Sequence, residues 1–395
     1  MPNKFNFLYK LPKRLNDDDY HHKENIVNAC AKIIKKLMES REVICAAGFQ
    51  SGKTDVMKRL IYVIQNYPDE LKKLDIDIYK YNIYLISCVS SLDLKTQLGE
   101  KLPEIKNRIM HLPEIVKYIN NITEYESTFV QMADSSLIIF DECHCDVEYE
   151  NTIPKLKEII KRFSKKNRTK YYKIGFSATP YEQIFSDIPK VIMKPSSGYY
   201  GLAHMFKKNK KTIPLIFQAK NLSDIDECKT LFEEIEVCDF YYIIRLPSKI
   251  TEQKLVMDNV EKEIKKRKSS LDTYIYDMHF KGKINNLVSE KPSKPTVIFL
   301  KDKLRVGEHL DTKYVYLVHD DPKNMHTHTT VQSLVGRCCG YNKKNHETII
   351  YCDYEKAWQH YKWVKNNYDA DYLPEDCKYI KKNHSGIKSN YYHVK

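Results

Sequence analysis

The stretch VICAAGFQSGKTDVMKRLIYV, residues 43–63, decides the fold of this 395-residue chain. It begins as a short apolar run, passes through a turn that contains Gly48 and Gly52, and continues with apolar residues at helical spacing. Strand, glycine-containing turn and helix in this order form the opening unit of an α/β sheet. Backbone N–H groups at the start of such a helix can cradle a phosphate. The stretch therefore predicts a nucleotide-binding α/β domain.

The side chains of this loop suit the binding of a nucleoside triphosphate. Lys53 is placed to reach the β- and γ-phosphates, and the Thr54 hydroxyl to bind Mg²⁺. The other loop residues expected to line the phosphates are Gly48, Gln50, Ser51 and Gly52. The first glycine of the usual eight-residue pattern is replaced by Ala47, and an ordinary helix N-terminus is the alternative interpretation.

Further strands and helices alternate after this unit. The candidate elements of the first half are the strands 81–90, 135–140 and 171–179 and the amphipathic helices 24–39 and 153–163. Those of the second half are the strands 239–246, 272–278, 295–300, 313–320 and 347–353 and a helix over 252–267. Such alternation predicts mainly parallel sheets with right-handed crossovers.

The alternating pattern is interrupted by PSSGYYG and KKNKKT, between residues 195 and 212. We therefore expect two domains, in line with the length of the chain. The predicted organisation is an N-terminal extension (1–24), a first domain (25–200), a second domain (201–355) and a C-terminal extension (356–395).

Composition excludes several classes of protein. With 42% hydrophobic and 30% charged residues the chain is globular, and no apolar run is long enough to span a membrane. Eleven cysteines, without framework spacing, favour a reducing intracellular compartment, and the N-terminus has no secretory apolar core. The net charge of +13 favours a polyanionic partner. We therefore expect a soluble intracellular protein that does not engage a membrane.

An acidic pair follows the apolar strand SSLIIF. Asp141 is placed to hold Mg²⁺, and Glu142 to orient and deprotonate an attacking water. A solvent-facing acidic loop is the alternative for an isolated pair. The neighbouring residues 143–145 (Cys-His-Cys) and 325–328 (Met-His-Thr-His) lack a second Cys or His pair at ligand spacing, which argues against zinc.

Three motifs in order carry a family resemblance. Gly52-Lys53-Thr54, Asp141-Glu142-Cys143-His144 and Ser177-Ala178-Thr179 resemble those of the superfamily two helicases and translocases, closest to their DEAH-like members. The resemblance implies two tandem RecA-like domains with an ATP cleft between them. It also implies that His144, Ser177 and Thr179 couple the nucleotide state to the grip on nucleic acid, and that Ser87 contacts a backbone phosphate.

The second half resembles the later motifs of the same superfamily. VIFLKDKLRVGEHLD (297–311) is similar to the fifth motif, with Gly307 in its loop, and VQSLVGRCCGY (331–341) is similar to the sixth. By this resemblance Gln332 and Arg337 belong to the catalytic set, and Arg337 reaches the γ-phosphate. Two departures are evident. Gln332 lies one residue further from Gly336 than the usual pattern requires, and Gly340 occupies the position of a second arginine. The ending resembles relatives from phages, large DNA viruses and mobile elements.

The resemblance implies an ATP- and Mg²⁺-dependent helicase or translocase that acts on DNA or RNA; it does not specify protein partners. The lysine clusters at 164–170, 206–212, 263–268 and 381–383 suit a phosphate backbone, although each is also typical of a solvated face. Three alternatives stay open: a duplex translocase or restriction-type motor subunit without strand separation, a catalytically degenerate nucleic-acid clamp, and a P-loop ATPase outside the helicases.

Overall fold

The computed structural model describes residues 5–9, 23–88, 92–143, 152–181, 186–206, 215–301, 310–320, 327–341 and 348–376. The chain divides into two compact units between Gly198 and Tyr199. In the described residues no helix combines the length and apolar character that crossing a membrane requires.

The first unit is built on a parallel sheet. Its strands are β1 (Glu42–Ala47), β2 (Ile83–Ser87), β3 (Ile109–His111), β4 (Ser136–Asp141), β5 (Tyr171–Ser177) and β6 (Lys190–Met193). In the described residues they form a six-stranded sheet in the order β3-β2-β4-β5-β1-β6, and every pairing is parallel. The helices are α1 (Lys23–Glu39), α2 (Lys53–Asn66), α3 (Pro68–Lys72), α4 (Leu92–Lys101), α5 (Leu112–Asn120), α6 (Glu126–Ala133) and α7 (Thr152–Asn167), with 3₁₀ turns at Asn6–Tyr9 and Pro103–Arg108.

The strands of this sheet are apolar on both faces. All residues of β2 and β4 are buried, as helices on both sides of a parallel sheet require. Because all strands run in the same direction, their carboxyl ends meet at one edge. The residues that follow β1 and β4 therefore lie close together, and this edge is where a ligand is expected.

The second unit repeats the architecture. Its strands are β7 (Ile216–Gln218), β8 (Tyr241–Arg245), β9 (Asp272–Tyr276), β10 (Thr296–Leu300), β11 (Val315–His319) and β12 (Ile349–Cys352). Within the described part they pair in parallel, in the order β7-β12-β11-β8-β10-β9. The helices are α8 (Leu202–Met205), α9 (Ile225–Glu234), α10 (Ile250–Lys265), α11 (Ile284–Leu287), α12 (Thr327–Thr330) and α13 (Tyr354–Lys365), with a π-helical turn at Val331–Val335 and a 3₁₀ turn at Ala370–Tyr372.

The predicted fold class is confirmed: the chain is α/β, with two tandem sheets of RecA-like type. The short strands β3, β6 and β7 were not predicted, because three or four residues carry too little alternation to be read. The predicted start of the C-terminal extension at residue 356 falls inside α13.

Candidate active site

The predicted phosphate loop turns sharply between β1 and α2. Gly52, directly before α2, has a φ of 102°, which L side chains rarely adopt. Gln50 has a φ of 49°, so it takes the left-handed conformation that a glycine would adopt freely. The Ser51 hydroxyl donates to the Gly48 carbonyl at 2.8 Å and closes the turn. The turn therefore closes although position 50 carries a glutamine in place of a glycine.

Lys53 and Glu142 meet at this edge of the sheet. The Lys53 Nζ donates to Glu142 Oε1 at 2.8 Å, and each side chain is 12% exposed. Burial disfavours the charged form of Lys53, but the carboxylates of Glu142 and Asp141 outweigh that cost and raise the pKa of its ammonium group. The first and second motifs, 89 residues apart, are thus joined by an ion pair.

Asp141 is the last residue of β4 and is buried. Burial, and next the negative charge of Glu142, raise its pKa to about 7 against the opposing attraction of Lys53. A divalent cation beside this carboxylate would favour its charged form. Mg²⁺ prefers carboxylate and hydroxyl oxygens and keeps further positions for phosphate oxygens and water, so Asp141 and Thr54 suit it chemically. Among the described residues no group of three or more His, Cys, Asp and Glu side chains is arranged to hold a metal by itself.

The turn after β4 depends on a close approach to β5. Glu142 has a φ of 53°, and its N–H donates to Asp141 Oδ1 at 3.1 Å. The next residue, Cys143, packs over Gly175, where an added Cβ would come within 2.9 Å of the Cys143 Sγ and of Ile44 Cδ1. Gly175 therefore makes room for the turn that presents Glu142. Sequence reasoning missed it, although a glycine inside an apolar strand is a signal for such an approach.

The third motif lies beside these residues at the same edge. Ser177 ends β5, is paired in register with Ala46 of β1, and accepts a hydrogen bond from the Thr179 N–H at 2.9 Å. Both hydroxyl residues are fully buried. Ser87 ends β2 in register with Asp141 and is also fully buried. The structure therefore places Ser177 and Ser87 on the strands that flank β4.

In the second unit the sixth motif contains an irregular helix. Gln332 and Arg337 are both buried, at 6% exposure each, and the π-helical turn Val331–Val335 holds the first of them. Gly340 has a φ of 133°, and its N–H and C=O both bond to Tyr200 at 2.8 Å. An arginine at Gly340 would be strained, so the second arginine of the resemblance has no ready place there.

Sequence reasoning missed a buried ion pair of this unit. Arg245 ends β8 and Asp320 follows β11, and the Arg245 Nε donates to Asp320 Oδ1 at 2.7 Å. Asp141 was identified because it is a polar residue at the end of an apolar strand. The same signal could have identified Arg245 and Asp320. The predicted site residues His144 and Gly307 lie outside the described residues.

Comparison with known proteins assigns a relative and a fold. No protein-family model matches the chain. The uncharacterized protein L594 of Acanthamoeba polyphaga mimivirus is 56% identical over 380 residues, which cover 96% of this chain and 97% of the viral protein. The chain belongs to the family of this mimivirus protein. The description of this relative names no function, so the match indicates a family and no activity.

The solved structures that resemble the chain include helicases. The Escherichia coli DExH-box NTPase HrpB matches with a TM-score of 0.52 and 12% identity, over 85% of this chain and 42% of HrpB. The DUF1998 helicase MrfA, bound to DNA and AMPPNP, matches with a TM-score of 0.47 and 13% identity, over 90% of this chain and 53% of MrfA. The chain spans less than half the length of HrpB, and this likeness shows a shared fold of two parallel α/β sheets.

Proposed function

We propose that the chain is an ATP-dependent motor that moves on or unwinds DNA or RNA. One observation carries the proposal: Lys53, at the start of α2, lies 2.8 Å from Glu142, directly after Asp141. A phosphate-binding lysine, a metal-binding carboxylate and a candidate general base are thereby brought to one edge of one sheet. This is the minimum that phosphoryl transfer to water needs, because its catalysis rests on positioning and electrostatic stabilisation.

The ion pair suggests how hydrolysis begins. The phosphates of ATP compete with Glu142 for the Lys53 ammonium, so nucleotide binding separates Lys53 from Glu142. The carboxylate is then available to accept the proton of the attacking water. Asp141 and Thr54 would hold Mg²⁺, which neutralises charge on the phosphates when bound.

The remaining predicted residues receive roles by resemblance. Gly48, Gln50, Ser51 and Gly52 line the phosphates, Gln332 and Arg337 act on the γ-phosphate during transfer, and Ser177, Thr179 and His144 couple hydrolysis to movement. Ser87 and Gly307 are assigned to the nucleic-acid backbone. The surplus of 65 lysines and arginines over 52 acidic residues favours a polyanionic track.

Steady-state ATP hydrolysis tests the proposal. The rate is measured without nucleic acid and with single-stranded DNA, duplex DNA and RNA, beside Lys53→Ala and the matched surface variant Lys58→Ala. We expect stimulation by one of the nucleic acids, lost in Lys53→Ala and kept in Lys58→Ala. Strand-separation assays with the best activator then distinguish a helicase from a duplex translocase. A wild-type chain without turnover under all four conditions contradicts the motor.

A degenerate clamp is the second candidate. Its support is Gly340, whose positive φ leaves no unstrained place for a second arginine. With Arg337 alone, charge that develops during transfer is less well stabilised. The clamp predicts tight nucleic-acid binding that depends on ATP without measurable hydrolysis.

A further inference from the structure

The helix that carries the sixth motif is interrupted between its two functional residues. Ser333 has φ −69° and ψ −138°, far from helical values, inside the π-helical turn Val331–Val335. A turn of this type holds one residue more than an α-helical turn, and such turns are frequent at functional sites. It therefore accommodates the additional residue between Gln332 and Gly336, and Arg337 lies in the last helical turn, which the Cys338 N–H closes by donating to the Leu334 carbonyl at 3.2 Å.

The interruption is stabilised by a buried ionic network. Arg245 Nη2 donates to Ser333 Oγ at 2.8 Å, and Asp320 Oδ2 accepts from the Leu334 N–H at 2.9 Å. Arg245 and Asp320 are themselves joined at 2.7 Å, with side chains 7% and 1% exposed. Both oxygens of the carboxylate are therefore used, one by the guanidinium and one by the turn.

The hydrogen bonds of this network replace those that the turn removes. A break in a helix leaves backbone N–H groups without their usual carbonyl partners, and a buried donor without a partner is costly. Asp320 satisfies the Leu334 N–H in the way that a capping carboxylate satisfies the first turn of a helix. Since the Leu334 carbonyl accepts from the Cys338 N–H, the last helical turn, which contains Arg337, is anchored from the ends of β8 and β11.

We propose that Arg245 and Asp320 are positioning residues for Arg337. They hold the π-helical turn open and so aim the arginine that acts on the γ-phosphate. This inference rests on the proposed function, because it requires that Arg337 contribute to hydrolysis.

Two variants perturb the network to different degrees. Ser333→Ala removes one acceptor and keeps the charges, whereas Asp320→Asn removes the carboxylate but keeps its shape. Asp353→Asn is the matched control: Asp353 is a capping carboxylate of the same unit, which accepts from the Lys356 N–H at 3.1 Å at the start of α13. We expect kcat for ATP to fall about tenfold or more in Asp320→Asn and less in Ser333→Ala, with KM changed by less than about threefold. Asp353→Asn is expected to keep the wild-type kcat.

A double-mutant cycle separates positioning from stability. In an Arg337→Ala background we expect Asp320→Asn to cause no further loss of kcat, because the residue through which it acts is gone. Additive losses, or equal losses in Asp320→Asn and Asp353→Asn, overturn the inference. The hydrolysis rate of the wild-type chain distinguishes a failure of the positioning role from a failure of the proposed function. Normal hydrolysis that disappears in Lys53→Ala but persists in Asp320→Asn refutes only the positioning role, whereas absence of wild-type hydrolysis refutes the proposed function and this inference together.

Discussion

Each unit contains an ion pair at the carboxyl edge of its sheet, and the two pairs differ in how firmly they are held. Lys53, at the start of α2, and Glu142, in the turn after β4, are each 12% exposed and lie at the edge where a ligand is expected. Arg245 and Asp320 are 7% and 1% exposed, and Ser333 and Leu334 add further hydrogen bonds to them. The first pair can exchange partners, whereas the second is part of the framework.

The difference follows from the cost of moving a charge. Breaking a fully buried pair leaves an uncompensated charge in a medium of low polarity, which is expensive. A pair at the mouth of a phosphate loop can be broken cheaply if an anion replaces the carboxylate. On the proposed function, the first unit therefore holds the groups that would change during a hydrolysis cycle, and the second holds groups that fix a geometry.

The largest expected effect concerns Glu142. Glu142→Gln removes the proposed base, so kcat is expected to fall by about 10²- to 10⁴-fold. The affinity for a non-hydrolysable ATP analogue is expected to stay the same or rise, because Lys53 loses a competing partner. Glu42→Gln is the matched control, since Glu42 pairs with Lys173 between neighbouring strands. Equal loss of turnover in both variants would show that the pair acts on stability alone.

Substitutions in the buried Arg245–Asp320 pair are expected to change the free energy of unfolding. Arg245→Met leaves the Asp320 charge uncompensated and is expected to lower the free energy of unfolding by about 3–5 kcal/mol. The double variant Arg245→Met/Asp320→Leu removes both charges and is expected to recover much of that loss. Urea denaturation measures both. A double variant no more stable than the single one would contradict this account of the framework pair.

The sequence indicated the arrangement of the first site better than that of the second. Lys53 and Asp141 each follow an apolar strand, and parallel strands bring their carboxyl ends to one edge. Position alone therefore indicated that the two motifs meet. The contact between Lys53 and Glu142, rather than Asp141, depends on the left-handed turn at Glu142, which the sequence does not encode in a recognisable way.

The network of the second unit was out of reach for a different reason. Asp320 and Ser333 lie 75 and 88 residues after Arg245 in the sequence. The packing of β8 beside β11 brings the three residues together. The extra residue before Gly336 was visible in the sequence, but whether it forms a loop or a π-helical turn depends on what satisfies its backbone. Local patterns identify strand ends, and tertiary contacts decide which of them pair.

A smaller effect is expected at Gly175, beneath the turn that presents Glu142. Gly175→Ala places a Cβ 2.9 Å from Cys143 Sγ and Ile44 Cδ1, so we expect a loss of about 1–3 kcal/mol in unfolding free energy and a reduced kcat. Gly99→Ala, on α4, is the control: the three atoms nearest to its added Cβ all belong to the flexible side chain of Lys106. The control is expected to be neutral or slightly stabilising. Equal behaviour of both alanine variants would mean that the turn has room to shift.

The smallest expected effect is a difference between the two units in how their stability depends on pH. Burial lowers the pKa of His319 to about 4 and that of His360 to about 3, whereas the unfolded value is about 6.5. Below pH 6.5 the unfolded chain binds protons that the folded chain does not, so the second unit loses stability as the pH falls. The expected loss at pH 5.5 is roughly 1 kcal/mol per histidine.

The first unit is expected to respond in the opposite direction. The pKa of Asp141 is raised to about 7, so between pH 7 and 4 the folded chain holds a proton that the unfolded chain has released. Hydrogen exchange, corrected for intrinsic rates, reads β4 and β11 separately. Protection should increase in β4 and decrease in β11 on acidification from pH 7 to 5.5. His319 Nε2 contacts the Lys220 carbonyl at 3.0 Å, and His319→Gln keeps a donor for that carbonyl. This variant should flatten the pH response of β11. His279→Gln, at an exposed position, is the control. Parallel responses in the two strands would show that these buried groups do not set the pH dependence of their own units.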